Sequence, residues 1–435
     1  MRSTMMRTAA LSLALTASLA ISPSGLCNEL GGLKQVAPNP ALNNLEWQAF
    51  IEVLQNNFVA PIDKQSLDKT CDKAMERIRS DVDASKVNVS SAGICIDAVL
   101  EKLDPIAAYL PSEKYESLKP RPYVGIGIEM GSHTSGCIKV ISVIENAPAH
   151  QSRLIRGGEL ICTIDGTSTA GKSLQEAAKL FQGSPGTYVN LGVSRDSSNE
   201  LIPVSIQRKA VSVYSAKTKV FYDDIAYLRI VFLKPETRNQ ILEKISAIEA
   251  ANPNPFRALI VDLRSNPGGS LKAAVAVSAL FVSENERILF SAGRNQEFKE
   301  YRAVGSDYES FTEKTIEPEI KTNLRKIPLF ILMNGRTASG AEALISALQQ
   351  KRNAILIGEK TLGESSIAQI FPLSPTTGVK FTTGFIYSPD QTSWQDRGFS
   401  PDIEIVPEDP KKNFNYGDLT QDSVLLKTVA HINKN

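Results

Sequence analysis

Residues 258–261 (Ala258-Leu259-Ile260-Val261) carry no polar side chain before Asp262, and 327–333 repeat the pattern. A strand apolar on both faces must be covered on both sides, which a parallel sheet flanked by helices provides. Each run stops at turn residues, Asn266-Pro267-Gly268-Gly269 in the first case and Asn334-Gly335-Arg336-Thr337 in the second. Helical spacing follows over 270–281 and 339–350, and 354–357 reads as the next strand. From about residue 220 the chain is therefore expected to form a βα core.

The 435 residues leave room for more than one domain. Segments 123–128, 138–144 and 160–165 read as strands, a helix is expected over 173–182, and 188–193 with 201–207 form a hairpin around Asp196-Ser197-Ser198-Asn199. Upstream, helical spacing runs over 43–59, 66–79 and 91–103. The expected fold class is multidomain, α+β and α/β: a small helical region over 42–120, a β domain over 121–209, a βα core over 210–408 and a C-terminal tail over 409–435.

The N-terminus reads as an export signal. Arg2 and Arg7 precede an apolar run over 8–21, too short to cross a bilayer of about 30 Å as a helix. Ser18-Leu19-Ala20 places small residues where a signal peptidase reads, so residues 1–20 are expected to be removed. The expected location is periplasmic or secreted. Lipid anchoring through Cys27 is not expected, because the bulky Leu26 precedes it. In an oxidising compartment Cys71, Cys95, Cys137 and Cys162 invite disulfides, expected as Cys71–Cys95 and Cys137–Cys162. Spacing alone allows three connectivities or four reduced thiols.

Charge and motif composition exclude several classes. Lys and Arg number 48 against 47 Asp and Glu, so no basic surplus points to nucleic acid. His133, His150 and His431 are the only histidines, and no Cys/His cluster has metal-ligand spacing, so neither metal nor cofactor is expected. Gly166-Thr167-Ser168-Thr169-Ala170-Gly171-Lys172-Ser173 fits a P-loop letter for letter, and Asp262 could be its magnesium ligand. The hairpin that follows and the β-rich setting argue instead for an Asp-Gly turn before a capped helix, so no nucleotide is expected. Ser66 and Lys69 match a Ser-x-x-Lys motif, but Ser66 is expected to cap a helix.

Thr337-Ala338-Ser339-Gly340-Ala341-Glu342 carries the chemistry. Ser339 and Glu342 form a capping box at the start of a helix. The same position lets a hydroxyl face free amides and the positive end of the helix, where charge on an attacked carbonyl is stabilised. The Gly268-Gly269 turn follows a neighbouring strand and can bring a second amide near.

The order of these parts resembles the carboxyl-terminal processing (tail-specific) serine peptidases from about Leu45 to Val406. Asp262-Leu263-Arg264-Ser265-Asn266-Pro267-Gly268-Gly269 carries the likeness most specifically, with Gly358-Glu359-Lys360-Thr361 and Ser400-Pro401-Asp402-Ile403 behind it. Leu103-Asp104-Pro105, Ala147-Pro148-Ala149, Ile164-Asp165-Gly166 and Gly183-Ser184-Pro185-Gly186-Thr187 add to it. The resemblance implies a helical N-terminal region, a PDZ domain and a crotonase-like core. It also implies a nucleophile at Ser339, oxyanion amides at Gly340 and Gly268, and a terminal-carboxylate loop at Gly125-Ile126-Gly127-Ile128. Protein or peptide C-termini are the implied substrates; a homo-oligomer or an adaptor partner stays open.

One position departs from that pattern. The family's base is a lysine directly after Gly-Glu-x-Thr-x-Gly, and here Glu364 follows Gly363, with Ala368 where a glutamine belongs. A lysine base must be brought down from about 10.4, whereas a carboxyl must be raised from about 4.3. Lys360 is the nearest substitute amine and is expected to be solvated. Two readings follow: a serine endopeptidase with Glu364 as its base, or an impaired pseudo-peptidase that binds peptides.

Overall fold

The computed structural model describes residues 44–80, 90–118, 123–144, 146–195, 200–211, 214–294, 296–310, 318–407 and 416–434. The chain parts into Met1–Asn39 and Pro40–Asn435, and all that follows concerns the second unit. The expected signal peptide, Cys27 and the turn Asp196-Ser197-Ser198-Asn199 lie outside the described residues.

The apolar runs form the centre of a six-stranded sheet. In spatial order it comprises Ala216–Phe221, Ile225–Ile230, Ala258–Asp262, Leu329–Met333, Ile355–Gly358 and Ile403–Glu404; the first pair is antiparallel and the others parallel. Alternation divides each run between two cores. Leu228, Leu259, Val261, Ile331 and Leu356 face the helices Leu271–Phe281 and Gly340–Arg352. Tyr227, Ile260, Phe330, Leu332 and Ile357 face the other way, onto Val424, Leu425, Val429 and Ile432. The stretch expected as a tail thus contains a helix, Ser423–Lys434, whose apolar side covers the sheet's second face.

Upstream, Leu45–Asn57, Lys64–Ser80 and Ser91–Leu103 are helical. Trp47, Phe50, Ile51 and Leu54 are buried at the spacing of one helical face. Ser66 is not a cap: the second helix starts at Lys64, and Asp63 accepts from the Gln65 and Ser66 amides. Nor does the helical region stand alone. Its core includes Val379 and Phe381, and Ala108–Leu110 pairs antiparallel with Gly378, Val379 and Lys380. It is built onto a second sheet, in which Gly378–Tyr387 lies between Ser366–Pro372 on one side and Ala108–Leu110 and Arg287–Gly293 on the other.

Between them, residues 123–211 hold a separate core around Ile126, Ile161, Phe181 and Val193. Its strands run in the order Ile128–Ser132, Ile138–Val143, Leu160–Ile164, Tyr188–Ser194, Ile202–Gln207. The strand expected over 123–128 is broken at Gly127 (φ +76°), where a Cβ would meet Ala147 Cβ at 2.2 Å. Val124–Gly125 pairs instead with Lys209–Ala210. The P-loop look-alike is a hairpin turn at Asp165-Gly166, Thr167–Ser168 pairing back on the preceding strand, and then Ser173, which caps Leu174–Phe181 with Glu176. In this structure Cys71 is bonded to Cys95 and Cys137 to Cys162.

Candidate active site

Two loops meet where the parallel strands end. Asp262 closes one strand and Met333 its neighbour, and the turns after them are tied to each other. Thr337 Oγ1 donates to Leu263 O at 2.9 Å, and the Ala338 amide donates to Asn266 O at 3.0 Å. Asn266 is fully buried, its side-chain amide donating to Ile230 O at 2.9 Å.

The glycine bend is thereby pressed onto the start of the helix Gly340–Arg352. A Cβ added to Gly268 (φ +91°) would lie 2.6 Å from Gly340 N and 2.9 Å from Ser339 Cβ. Only glycine permits so close an approach. The Gly268 amide itself donates to Asn266 Oδ1 at 2.8 Å, so it is already engaged, contrary to its expected place in an oxyanion hole. The bend bridges to Leu233 through Leu233 N to Gly268 O and Ser270 N to Leu233 O, a pattern that leaves out the Gly269 amide. The Gly269 nitrogen lies 3.4 Å from the point where a Gly340 Cβ would stand.

Ser339 has φ +53° and ψ −119°, a conformation that costs a non-glycine residue about 1–3 kcal/mol. Its amide donates to Glu342 Oε2 at 3.0 Å, and its carbonyl accepts from the Ala343 amide at 2.9 Å. Glu342 does more than its capping position requires. Fully buried, it also accepts from Thr361 Oγ1 (2.5 Å), the Gly363 amide (2.7 Å) and the Glu364 amide (2.8 Å). Burial pushes its carboxyl above the ordinary value, and the four donors pull against that rise. One carboxylate thus fixes both Ser339 and the loop that carries Glu364.

Beneath this junction sits a buried charge cluster. Burial alone would raise Asp262, yet the guanidiniums of Arg264 and Arg229 bring it down to about 2. Asp262 accepts from the Arg264 side chain at 2.6 and 3.0 Å and from Tyr227 Oη at 2.7 Å. Arg264 also binds both oxygens of Asp422, at 2.8 and 2.5 Å, which ties the loop after the strand to the C-terminal helix.

Ser339 is half-buried and opens onto a cleft of about 490 Å³, whose walls include Gly269, Glu364, Ala368, Lys380 and Ile386. The Glu364 carboxylate accepts from the Ser366 amide at 3.0 Å. Lys360 is exposed and is not part of the cleft wall. His150 accepts from the Asn146 amide within the β domain, and His431 lies edge-on to Phe330. The sequence reading did not single out Lys380, and of the Gly268-Gly269 turn it named the Gly268 amide rather than Gly269.

A family model described as peptidase family S41 matches residues 224–405. A carboxy-terminal-processing protease of Bartonella bacilliformis is 30% identical over 325 residues, covering 74% of this chain and 71% of that one. A carboxyl-terminal-processing protease of Picosynechococcus sp. is 28% identical over 314 residues, covering 71% and 70%. A putative S41 protease from Bacteroides fragilis shares the fold, with a TM-score of 0.56, 14% identity, and coverage of 88% of this chain and 97% of that one. The chain belongs to peptidase family S41, the carboxy-terminal-processing serine peptidases.

Proposed function

We propose that this serine peptidase is exported, that its 123–211 domain is a PDZ domain capturing the C-terminus of a protein substrate, and that Ser339 cuts the captured chain. The observation that carries this is the strained Ser339 seated against the glycine bend at the mouth of a cleft. Ser339 Oγ bonds to the carbonyl carbon while its proton passes to the Glu364 carboxylate. The amides of Gly340 and Gly269 receive the developing oxyanion. Collapse expels the amine, which takes the proton, and water then hydrolyses the acyl-serine ester.

Capture fits the β domain. Ile128–Ser132 is an edge strand directly after Gly125-Ile126-Gly127, a position where a peptide can add as a further strand with its carboxylate on the loop. The central sheet with its flanking helices serves as a crotonase-like core. Two disulfides suit an oxidising compartment and support export.

A serine-directed fluorophosphonate is expected to label the wild type and not Ser339→Ala, and the wild type is expected to cleave an unstructured protein with an apolar C-terminus. Glu364 favours a second reading, an impaired enzyme retained as a peptide-binding adaptor. No labelling of the wild type, with labelling gained in Glu364→Lys, would select that reading and overturn the first.

A further inference from the structure

We propose that Lys380 makes the cleft selective for substrate peptides with an acidic side chain about three to five residues from the bond cut at Ser339. The inference rests on Ser339 as the nucleophile and goes beyond it to specificity.

Lys380 shares the cleft wall with Ser339 and Glu364. Its neighbours Val379 and Phe381 point the opposite way into the helical core, so strand alternation holds Lys380 on the cleft side. The hairpin register sets its depth: Ser366, two residues after Glu364, faces Phe385, whereas Ile370 faces Lys380, with a bulge between Ile367 and Ala368. Four residues of strand at about 3.3 Å each place Lys380 roughly 13 Å farther along. An extended peptide covers that span in about four residues, and the lysine stem gives latitude of about one residue either way.

The Lys380 residue is partly buried, and among the described residues no hydrogen bond or ion pair holds its ammonium. Three lysines elsewhere are engaged: Lys217 with Glu129, Lys219 with Gly417 O, Lys351 with Glu286. The carboxylate in the same cleft, Glu364, is turned to the Ser366 amide. The wall between is apolar, through Ile367, Ala368 and Ile386. A cation without a counter-charge gains an ion pair when a ligand supplies one.

The test uses internally quenched peptides amidated at the C-terminus, so that a terminal carboxylate cannot reach the β domain. Pairs differ by Asp or Asn at successive positions on each side of the scissile bond. In the wild type one placement of Asp is expected to raise kcat/KM about fivefold over Asn, the value of a modest ion pair. In Lys380→Met the ratio is expected to fall to about one, and in Lys380→Glu a Lys-bearing peptide is expected to be preferred. Fluorophosphonate labelling of Ser339 in Lys380→Met checks that the nucleophile survives the substitution. Binding of the same pairs to Ser339→Ala, followed by fluorescence anisotropy, reads the preference without turnover. An Asp/Asn ratio of one in the wild type, a ratio unchanged in Lys380→Met, or an equal loss on both peptides would overturn the proposal. Loss of labelling with the binding preference intact would sink the nucleophile alone.

Discussion

Replacing Asp262 by Asn removes the charge on which the cluster beneath the active site is built. The wild-type carboxyl is held at about 2 against an ordinary 3.8. That difference corresponds to about 2 kcal/mol of stability. Because the folded value lies below the unfolded one, this contribution is fully present above about 3.8 and is lost as pH falls through about 2. The substitution costs more than the titration alone, since Arg229 and Arg264 keep their charge in a buried site where Asp422 remains as a partner of Arg264. Breaking a buried pair from one side costs about 3–5 kcal/mol, and Asp422 places the expectation near 3. Urea unfolding of wild type and Asp262→Asn should differ by that amount at pH 7. The gap should narrow by about 2 kcal/mol as the pH is lowered toward 2. A gap under 1 kcal/mol at pH 7, or one constant across the acid range, would refute the reasoning.

Glu342→Ala leaves buried donors on Ser339, Thr361, Gly363 and Glu364 without their acceptor, at about 1–3 kcal/mol each before relaxation. Fluorophosphonate labelling of Ser339 should be lost, and the stability difference from wild type should shrink as pH rises, because burial holds this carboxyl above its unfolded value. Gly268→Ala should cost about 1–2 kcal/mol from its φ of +91° alone and should abolish labelling by displacing Gly340 N; a labelled variant with wild-type thermal stability would count against the bend.

What the sequence disclosed is local or periodic. The apolar runs at 258–261 and 327–333 could only be doubly covered strands, and the three N-terminal helices followed from spacing. What it concealed depends on contacts between distant segments. Capping-box spacing accounts for the Glu342–Ser339 bond but says nothing of Thr361, Gly363 and Glu364, which arrive from the loop of the next strand. Lys380 reaches the cleft through hairpin register, and a register is invisible until the partner strand is placed. Gly127 breaks a run that reads as one strand because Ala147 occupies the space a side chain would need. The C-terminal helix carries its apolar residues at helical spacing, but only the bare second face of the sheet shows what they cover.

Glu364 as the proposed base has a consequence that does not depend on how fast the enzyme works. An amine accepts the serine proton only after shedding its own, so reactivity that relies on it climbs toward alkaline pH. A carboxylate is ready at lower pH, and reactivity that relies on it levels off on the acid side of that range. Labelling of Ser339 in Glu364→Lys should therefore climb toward alkaline pH, while Glu364→Gln, which cannot take up the proton, should lose most of the wild-type rate. Glu342 does not compete for this role, because the groups hydrogen-bonded to it are all donors fixing the loop, and its carboxylate is sealed from the cleft. If wild type and Glu364→Gln labelled at the same rate with the same profile, the proton would have to leave by another route, and the strained hydroxyl with its two amides would account for the reactivity by themselves.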